Sequence, residues 1–309
     1  MAKKESLQHG LCRMLDISNY KNNNTRKSAK RTIRQFADWL KITMPGADLD
    51  TLLSDHGMAA AILQIYSDSL QVSDKSPATI HTMLAYPCKA LNVGMAEIQK
   101  PRRSAGTIRR GRSEAGMIDP EKHKKLMDFQ SRVGIRRAEL AKLTGRDWQQ
   151  DESGQWCVVV RRGKGGKMQL QRILPSDLAV VSSYFGGSAE RLFSDDELTN
   201  KLNLHRIRAE QARRAYAYYE QQLQSPEARQ RAVEELSARY MRYNRGNVGK
   251  WLSELDRTDG RYYLRSENRQ KAIAAGRPVV YDRLALMMVS VFHLSHWRLD
   301  VTVTNYMIP

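Results

Sequence analysis

The chain has 309 residues, enough for one large or two ordinary domains with a core each, and its 51 Lys and Arg against 33 Asp and Glu leave a formal charge of +18. The cations run along the whole length, so the field favours a polyanionic partner, with nucleic acid the first candidate. Cys12, Cys88 and Cys157 lie far apart with no Cys-x-x-Cys pair, which implies neither a disulfide framework nor a zinc site and fits a reducing cytoplasm.

The first residues, Met-Ala-Lys-Lys-Glu-Ser-Leu-Gln-His, lack the apolar centre of a signal peptide, and the apolar run from Leu284 to Phe292 is too short to span a bilayer. No membrane partner is expected. Residues 1–26 end in the polar run Asn22-Asn23-Asn24-Thr25 and read as an arm or loop leading into a helix. From Lys27 to Ile42, Ile33, Phe36, Trp39 and Leu40 recur at helical spacing, while Lys27, Lys30, Arg31 and Arg34 fall mostly on the other side. This predicts an amphipathic helix whose basic face is a candidate DNA contact. Two more helical patterns follow, one through Ala61, Ile62, Ile65, Tyr66 and Leu70, the other from Pro77 through Ile80, Met83 and Leu84, with Pro87 expected to kink or end it.

Between Lys100 and Arg112 there are six basic residues, two glycines and a proline but no apolar periodicity. That composition predicts a basic linker over 100–118, separating a helical domain (1–99) from a second domain (119–309). It is either a solvated tether or a segment that tracks a phosphate backbone through Arg102, Arg103, Arg109 and Arg110. Asp119-Pro120-Glu121 has the chemistry of a helix start and predicts a helix to about Gln130. A second is expected from near Gly134, turning Ile135, Leu140 and Leu143 inward. Trp156–Val160 and the run from Met168 to Leu174 flank Arg161-Arg162-Gly163-Lys164-Gly165-Gly166-Lys167, a hairpin whose glycine-rich turn displays lysines. Helix returns after Pro175 with Leu178, Val180, Val181 and Tyr184, starts again at Ser225-Pro226-Glu227, and is expected to dominate to the end. The fold class is therefore mainly α with a small β-hairpin or sheet (α+β).

Opening a phosphodiester without a metal needs a nucleophile, cations on the non-bridging oxygens, a proton acceptor and a proton donor. The histidines show no metal-ligand spacing, so a metal-free set is the natural search. Taken singly the candidates are ordinary: an arginine on a helix is usually solvated or salt-bridged, a lysine in a glycine turn is a soluble tip, His205 and Arg208 one turn apart make a surface pair, and Tyr306 is a packing residue. Taken in order they are specific. Gly134-Ile135-Arg136-Arg137-Ala138-Glu139-Leu140, then Gly163-Lys164-Gly165-Gly166-Lys167, then His205-Arg206-Ile207-Arg208, then His296-Trp297-Arg298 with Tyr306, resemble the motifs of the tyrosine recombinases, the phage integrase family. The resemblance runs from about residue 119 to the end, and the helical region before it suits that family's core-binding domain.

The resemblance implies a helical domain and a catalytic domain that clamp double-stranded DNA, with Tyr306 forming a 3′-phosphotyrosyl link and releasing a 5′-hydroxyl without cofactor or metal. Arg136 and Arg208 would bind the non-bridging oxygens, for which the planar guanidinium is suited. His205 would take the phenol proton, Lys164 would protonate the departing oxygen, and His296 would donate a hydrogen bond to the phosphate. Glu139 reads as a support that orients Arg136. Lys167 and Arg137 are the neighbouring alternatives to Lys164 and Arg136. A homo-tetramer on paired sites, accessory DNA-bending proteins, and integration or excision of a mobile element in the cytoplasm, at the nucleoid of a prokaryote, complete the expectation.

The chain departs from the family pattern in three places. Ser295 stands where glycine is usual, and Tyr306 follows His296 by ten residues instead of nine, leaving Trp297 at the usual spacing as an alternative donor. Arg208 and His296 are 88 residues apart, so 222–280 reads as an insertion, either a solvated helical decoration or a contact for DNA or a neighbouring protomer. Three residues follow Tyr306, so the long tail that commonly packs on a neighbour is not expected. Two other functions fit the residues: a type IB topoisomerase, and a DNA-binding protein that no longer cuts.

Overall fold

The computed structural model describes residues 5–20, 22–103, 121–163, 166, 168–198, 202–243 and 248–308, without the side chains of 250 and 251. The chain divides into two compact units, Met1–Arg110 and Gly111–Pro309.

The first unit contains α1 (Leu7–Met14), α2 (Asn23–Thr43), α3 (Leu49–Ser54), α4 (His56–Val72) and α5 (Pro77–Ala90). Its start is not the expected arm: Ser6 Oγ accepts the His9 N–H as an N-cap, and Leu11, Leu15 and Ile17 are buried in the core. The asparagine run is likewise part of a helix, because Asn22 Oδ1 accepts the N–H groups of Asn24 and Thr25 and so caps α2. On α2, Ile33, Phe36 and Leu40 are fully buried while Lys27, Lys30, Arg31 and Arg34 are exposed. Phe36 and Trp39 meet Tyr66 of α4 at ring distances of 5.0 and 4.9 Å. Pro87 does not end α5, which runs on to Ala90; a proline this close to the C-terminus removes one bond without stopping the last turn. Beyond α5 the Gln99 carbonyl accepts from Ser67 Oγ and Gln64 Nε2, and the Pro101 carbonyl lies 3.0 Å from His81 Nε2. Arg102 and Arg103 follow and are exposed, whereas Arg109 and Arg110 lie outside the described residues.

The second unit begins with α6 (Lys124–Val133), three residues later than Glu121, which sits in a turn; Asp119 and Pro120 lie outside the described residues. Gly134, with φ 67°, closes α6 in the left-handed conformation instead of opening the next helix, and α7 (Arg137–Leu140) is a single turn. β1 (Trp148–Gln150), β2 (Trp156–Val160) and β3 (Gln169–Arg172) form an antiparallel sheet with β2 central, one strand more than the expected hairpin. Val158 and Val160 face α6, while Cys157, Val159 and Leu170 cluster separately. Helix α8 (Leu178–Ser182) is short, and Val180 points outward.

Next come α9 (Leu204–Gln222), α10 (Pro226–Tyr243), α11 (Val248–Asp256), β4 (Arg261–Tyr263), α12 (Ser266–Ala274), β5 (Val280–Asp282), α13 (Arg283–Phe292) and α14 (Leu299–Thr302). β4 and β5 pair antiparallel, a small strand pair in a region expected to be mostly helical. All of α13 is buried, because α9, α10, α11 and β3 pack around it. Residues 222–280 are no solvated decoration: Leu236, Leu255, Leu264 and Ala272 belong to the same core as α13. α10 is also fastened to the sheet by ion pairs from Glu235 to Arg172 and from Arg239 to Asp151. The fold is mainly α with small antiparallel sheets, and no helix among the described residues is long and apolar enough to cross a membrane.

Candidate active site

The two arginines converge through shared acceptors. Arg136 is extended at the N-cap of α7; its backbone N–H donates to Glu139 Oε2 at 2.8 Å and its Nη1 to Oε1 at 2.7 Å. Arg208, one turn into α9, is 2 % exposed, and its Nη1 lies 3.7 Å from Glu139 Oε2. Nη2 of Arg136 and Nη2 of Arg208 both donate to the Leu294 carbonyl, at 3.3 and 3.0 Å. One carboxylate and one carbonyl thus hold two like charges side by side. Burial pushes Arg208 below its usual value, and Arg136 adds to that, but a guanidinium stays charged at any physiological pH. Its Nε and Nη1 have no hydrogen-bond partner among the described residues. Arg137 turns elsewhere, donating to the carbonyls of Leu198 and Leu202.

The turn carrying Leu294 is built on a buried amide network. Gln171 of β3 donates to the carbonyls of Val133 and His293 and accepts from Ser295 Oγ at 3.4 Å. Ser295 has φ 55°, the left-handed conformation for which glycine is the usual choice. His293 is fully buried, with Nδ1 3.0 Å from Gln211 Nε2 and Nε2 3.2 Å from the Tyr219 hydroxyl; burial pushes it down to about 3, so it is neutral.

Tyr306, 6 % exposed, lies in a π-helical turn (Val303–Met307) in which the Ile308 N–H donates to the Val303 carbonyl. A π turn holds one residue more than an α turn. Arg213 Nη1 donates to the Tyr306 carbonyl at 2.9 Å. Around the phenol ring stand His205 (5.3 Å between centroids), His296 (6.2 Å) and the Arg208 guanidinium (5.6 Å). Burial, with Arg208 and Arg136 adding to it, pushes His296 down to about 3.

Apart from Arg208, these groups line a pocket of about 890 Å³. Arg136, His205, His296 and Tyr306 share its wall with Trp297, whose ring packs edge-on against Tyr240 of α10 at 5.1 Å, and with Arg239 and Tyr243. Lys164 and Lys167 lie outside the described residues; Met168 and Gln169, directly after them in the chain, line the pocket. Sequence reading therefore named five residues that meet here, but it missed the Leu294 carbonyl, Gln171 and Ser290. Ser290 left one signal, a hydroxyl inside the apolar run from Leu284 to Phe292.

No protein-family description and no curated protein matches the chain. Among solved structures, a XerA recombinase aligns over 82 % of this chain and 99 % of its own at 16 % identity, with a TM-score of 0.22. A TM-score that low is no argument for a shared fold or function.

Proposed function

We propose that this protein is a DNA strand-transfer enzyme in which Tyr306 attacks a backbone phosphate, forms a 3′-phosphotyrosyl link and releases a 5′-hydroxyl that a second 5′ end later replaces. The observation that carries this reading is Arg208, a nearly inaccessible cation whose Nε and Nη1 make no hydrogen bond among the described residues, Nη1 being only ion-paired to Glu139, beside a tyrosine and a second arginine. A buried guanidinium with donors to spare suits an oxyanion, and a low-dielectric setting strengthens that interaction. Arg136 would hold the second non-bridging oxygen, an imidazole beside the ring would take the phenol proton, and Lys164 would protonate the leaving oxygen. The bond energy is kept in the phosphotyrosine, so neither ATP nor metal enters the reaction. At the level of the organism this chemistry suits a recombinase acting as a tetramer on paired sites, with DNA-bending helpers, to integrate or excise a mobile element. The exposed cations on α2 and Arg102 and Arg103 would grip the backbone.

The test is covalent trapping without metal, on duplexes carrying 5′-bridging phosphorothiolates tiled across the DNA that flanks the protein's own coding sequence. The expected result is a denaturation-resistant adduct, absent in Tyr306→Phe and formed about 10²-fold more slowly in Arg208→Lys. Salt-sensitive binding with no adduct on any duplex would overturn the reading in favour of a protein that binds DNA without cutting it.

A further inference from the structure

Ser290, fully buried on α13, makes two contacts with one residue: its Oγ lies 2.8 Å from the His296 carbonyl oxygen and 2.9 Å from His296 Nδ1. A serine hydroxyl has one proton to give, and a carbonyl accepts only. Both contacts are hydrogen bonds in one arrangement alone, with Ser290 donating to the carbonyl and Nδ1–H donating to the Ser290 oxygen. The His296 backbone N–H also donates to the Ser290 carbonyl at 2.9 Å, so main chain and ring of His296 are both tied to Ser290. The lone pair of a neutral imidazole then sits on Nε2, which is buried without a partner among the described residues.

We propose that Ser290 is a positioning residue that holds His296 in its Nδ1–H tautomer, so that Nε2, not His205, accepts the phenol proton of Tyr306. The inference rests on the transesterification reading above and changes its expected roles: His296 starts as an acceptor and becomes a phosphate donor only after the proton arrives. In the step, the Tyr306 oxygen bonds to phosphorus as its proton passes to Nε2, the bond from phosphorus to the 5′ oxygen breaks, and the leaving oxygen takes a proton from Lys164. The groups disposed around the ring are Arg136 before α7, His205 and Arg208 on α9, Arg239 on α10, Arg298 and Asp300 at α14, and Tyr306. Before substrate binds, burial and the two arginines keep the imidazole neutral; a phosphodiester anion held between them offsets their charge as the proton transfers. His205, by contrast, is exposed on the first turn of α9.

The experiment begins with ¹⁵N-histidine-labelled full-length protein near neutral pH, without DNA, read by two-bond proton–nitrogen correlation. The resonance lost in His296→Asn should show the Nδ1–H pattern in the parent and in Ser290→Thr, and should move toward Nε2–H in Ser290→Ala. A parent His296 in the Nε2–H form, or a Ser290→Ala protein whose pattern is unchanged, overturns the proposal. On the trapped duplex, single-turnover cleavage should fall about 10²-fold in His296→Asn, and less in His205→Asn. The reverse ranking assigns the proton to His205. The spectrum needs no cleavage, so a missing adduct beside an Nδ1–H signal would defeat the strand-transfer reading and leave the tautomer standing.

Discussion

At the scale of single residues, Ser295 shows how a strained backbone position is supported by a neighbouring side chain. Its φ of 55° costs a side chain roughly 1 kcal/mol relative to glycine, and a 3.4 Å bond to Gln171 offsets part of that. Ser295→Gly removes the strain and the bond together and adds chain entropy to the unfolded state, so the net change should stay within about 1 kcal/mol. Ser295→Val adds a β-branched side chain at positive φ and removes the bond; urea unfolding should show a loss of about 1–3 kcal/mol. A valine variant as stable as the parent would mean that the turn is not left-handed at this residue. The contrast also shows what was legible. Arg136, His205, Arg208, His296 and Tyr306 are readable because the proposed chemistry would need particular side chains in a particular order. The Leu294 carbonyl that joins the arginines has no sequence signature, since every residue offers the same group. Gln171 and Gln211 act through partners 122 and 82 residues away, beyond any local pattern.

At the scale of elements, sequence periodicity found the long helices and the β2–β3 hairpin, and it failed where an element is shorter than the period that reveals it. α3 has six residues, α7 four, and β1, β4 and β5 three each, too few to repeat an apolar spacing. α1 was missed because its evidence is a cap and two buried leucines, not a charge pattern. The largest difference is α10: its charged composition reads as solvated, yet one face packs on α13, where Leu236 is buried and the Arg239 guanidinium covers the Phe292 ring. Leu236 decides between the two descriptions, because it is 0 % exposed in the core shared with α13. Leu236→Ala should lower unfolding free energy by about 2–5 kcal/mol in urea titrations of the full chain. A solvated helix would lose no more than about 0.5 kcal/mol, and that result would detach α10 from the core.

At the scale of the whole molecule, two buried imidazoles couple stability to pH. His293 and His296 are both pushed down to about 3 from 6.5, so the folded chain leaves them unprotonated where the unfolded chain binds protons. A lowered histidine contributes its stability above the unfolded value and loses it as the pH falls below that. The loss therefore starts near 6.5 and continues toward 3, at up to about 1.4 kcal/mol per pH unit for each ring. Asp128, Asp151 and Glu235 are also lowered, so their contributions hold above 3.8 to 4.5 and vanish below. Denaturant titrations should thus give unfolding free energies that fall by about 2–3 kcal/mol per unit from pH 6 to pH 5, before any carboxylate titrates. A flat profile in that window would mean that the rings are charged or accessible in the folded state. The two rings together remove about 4 kcal/mol by pH 5 and about 7 kcal/mol by pH 4, which unfolds a domain whose stability lies at the low end of the usual range of about 5–15 kcal/mol. If the proposed cleavage is found, its loss in acid would report unfolding as well as acid–base chemistry, so the proton acceptor has to be identified at neutral pH, where the tautomer itself can be read.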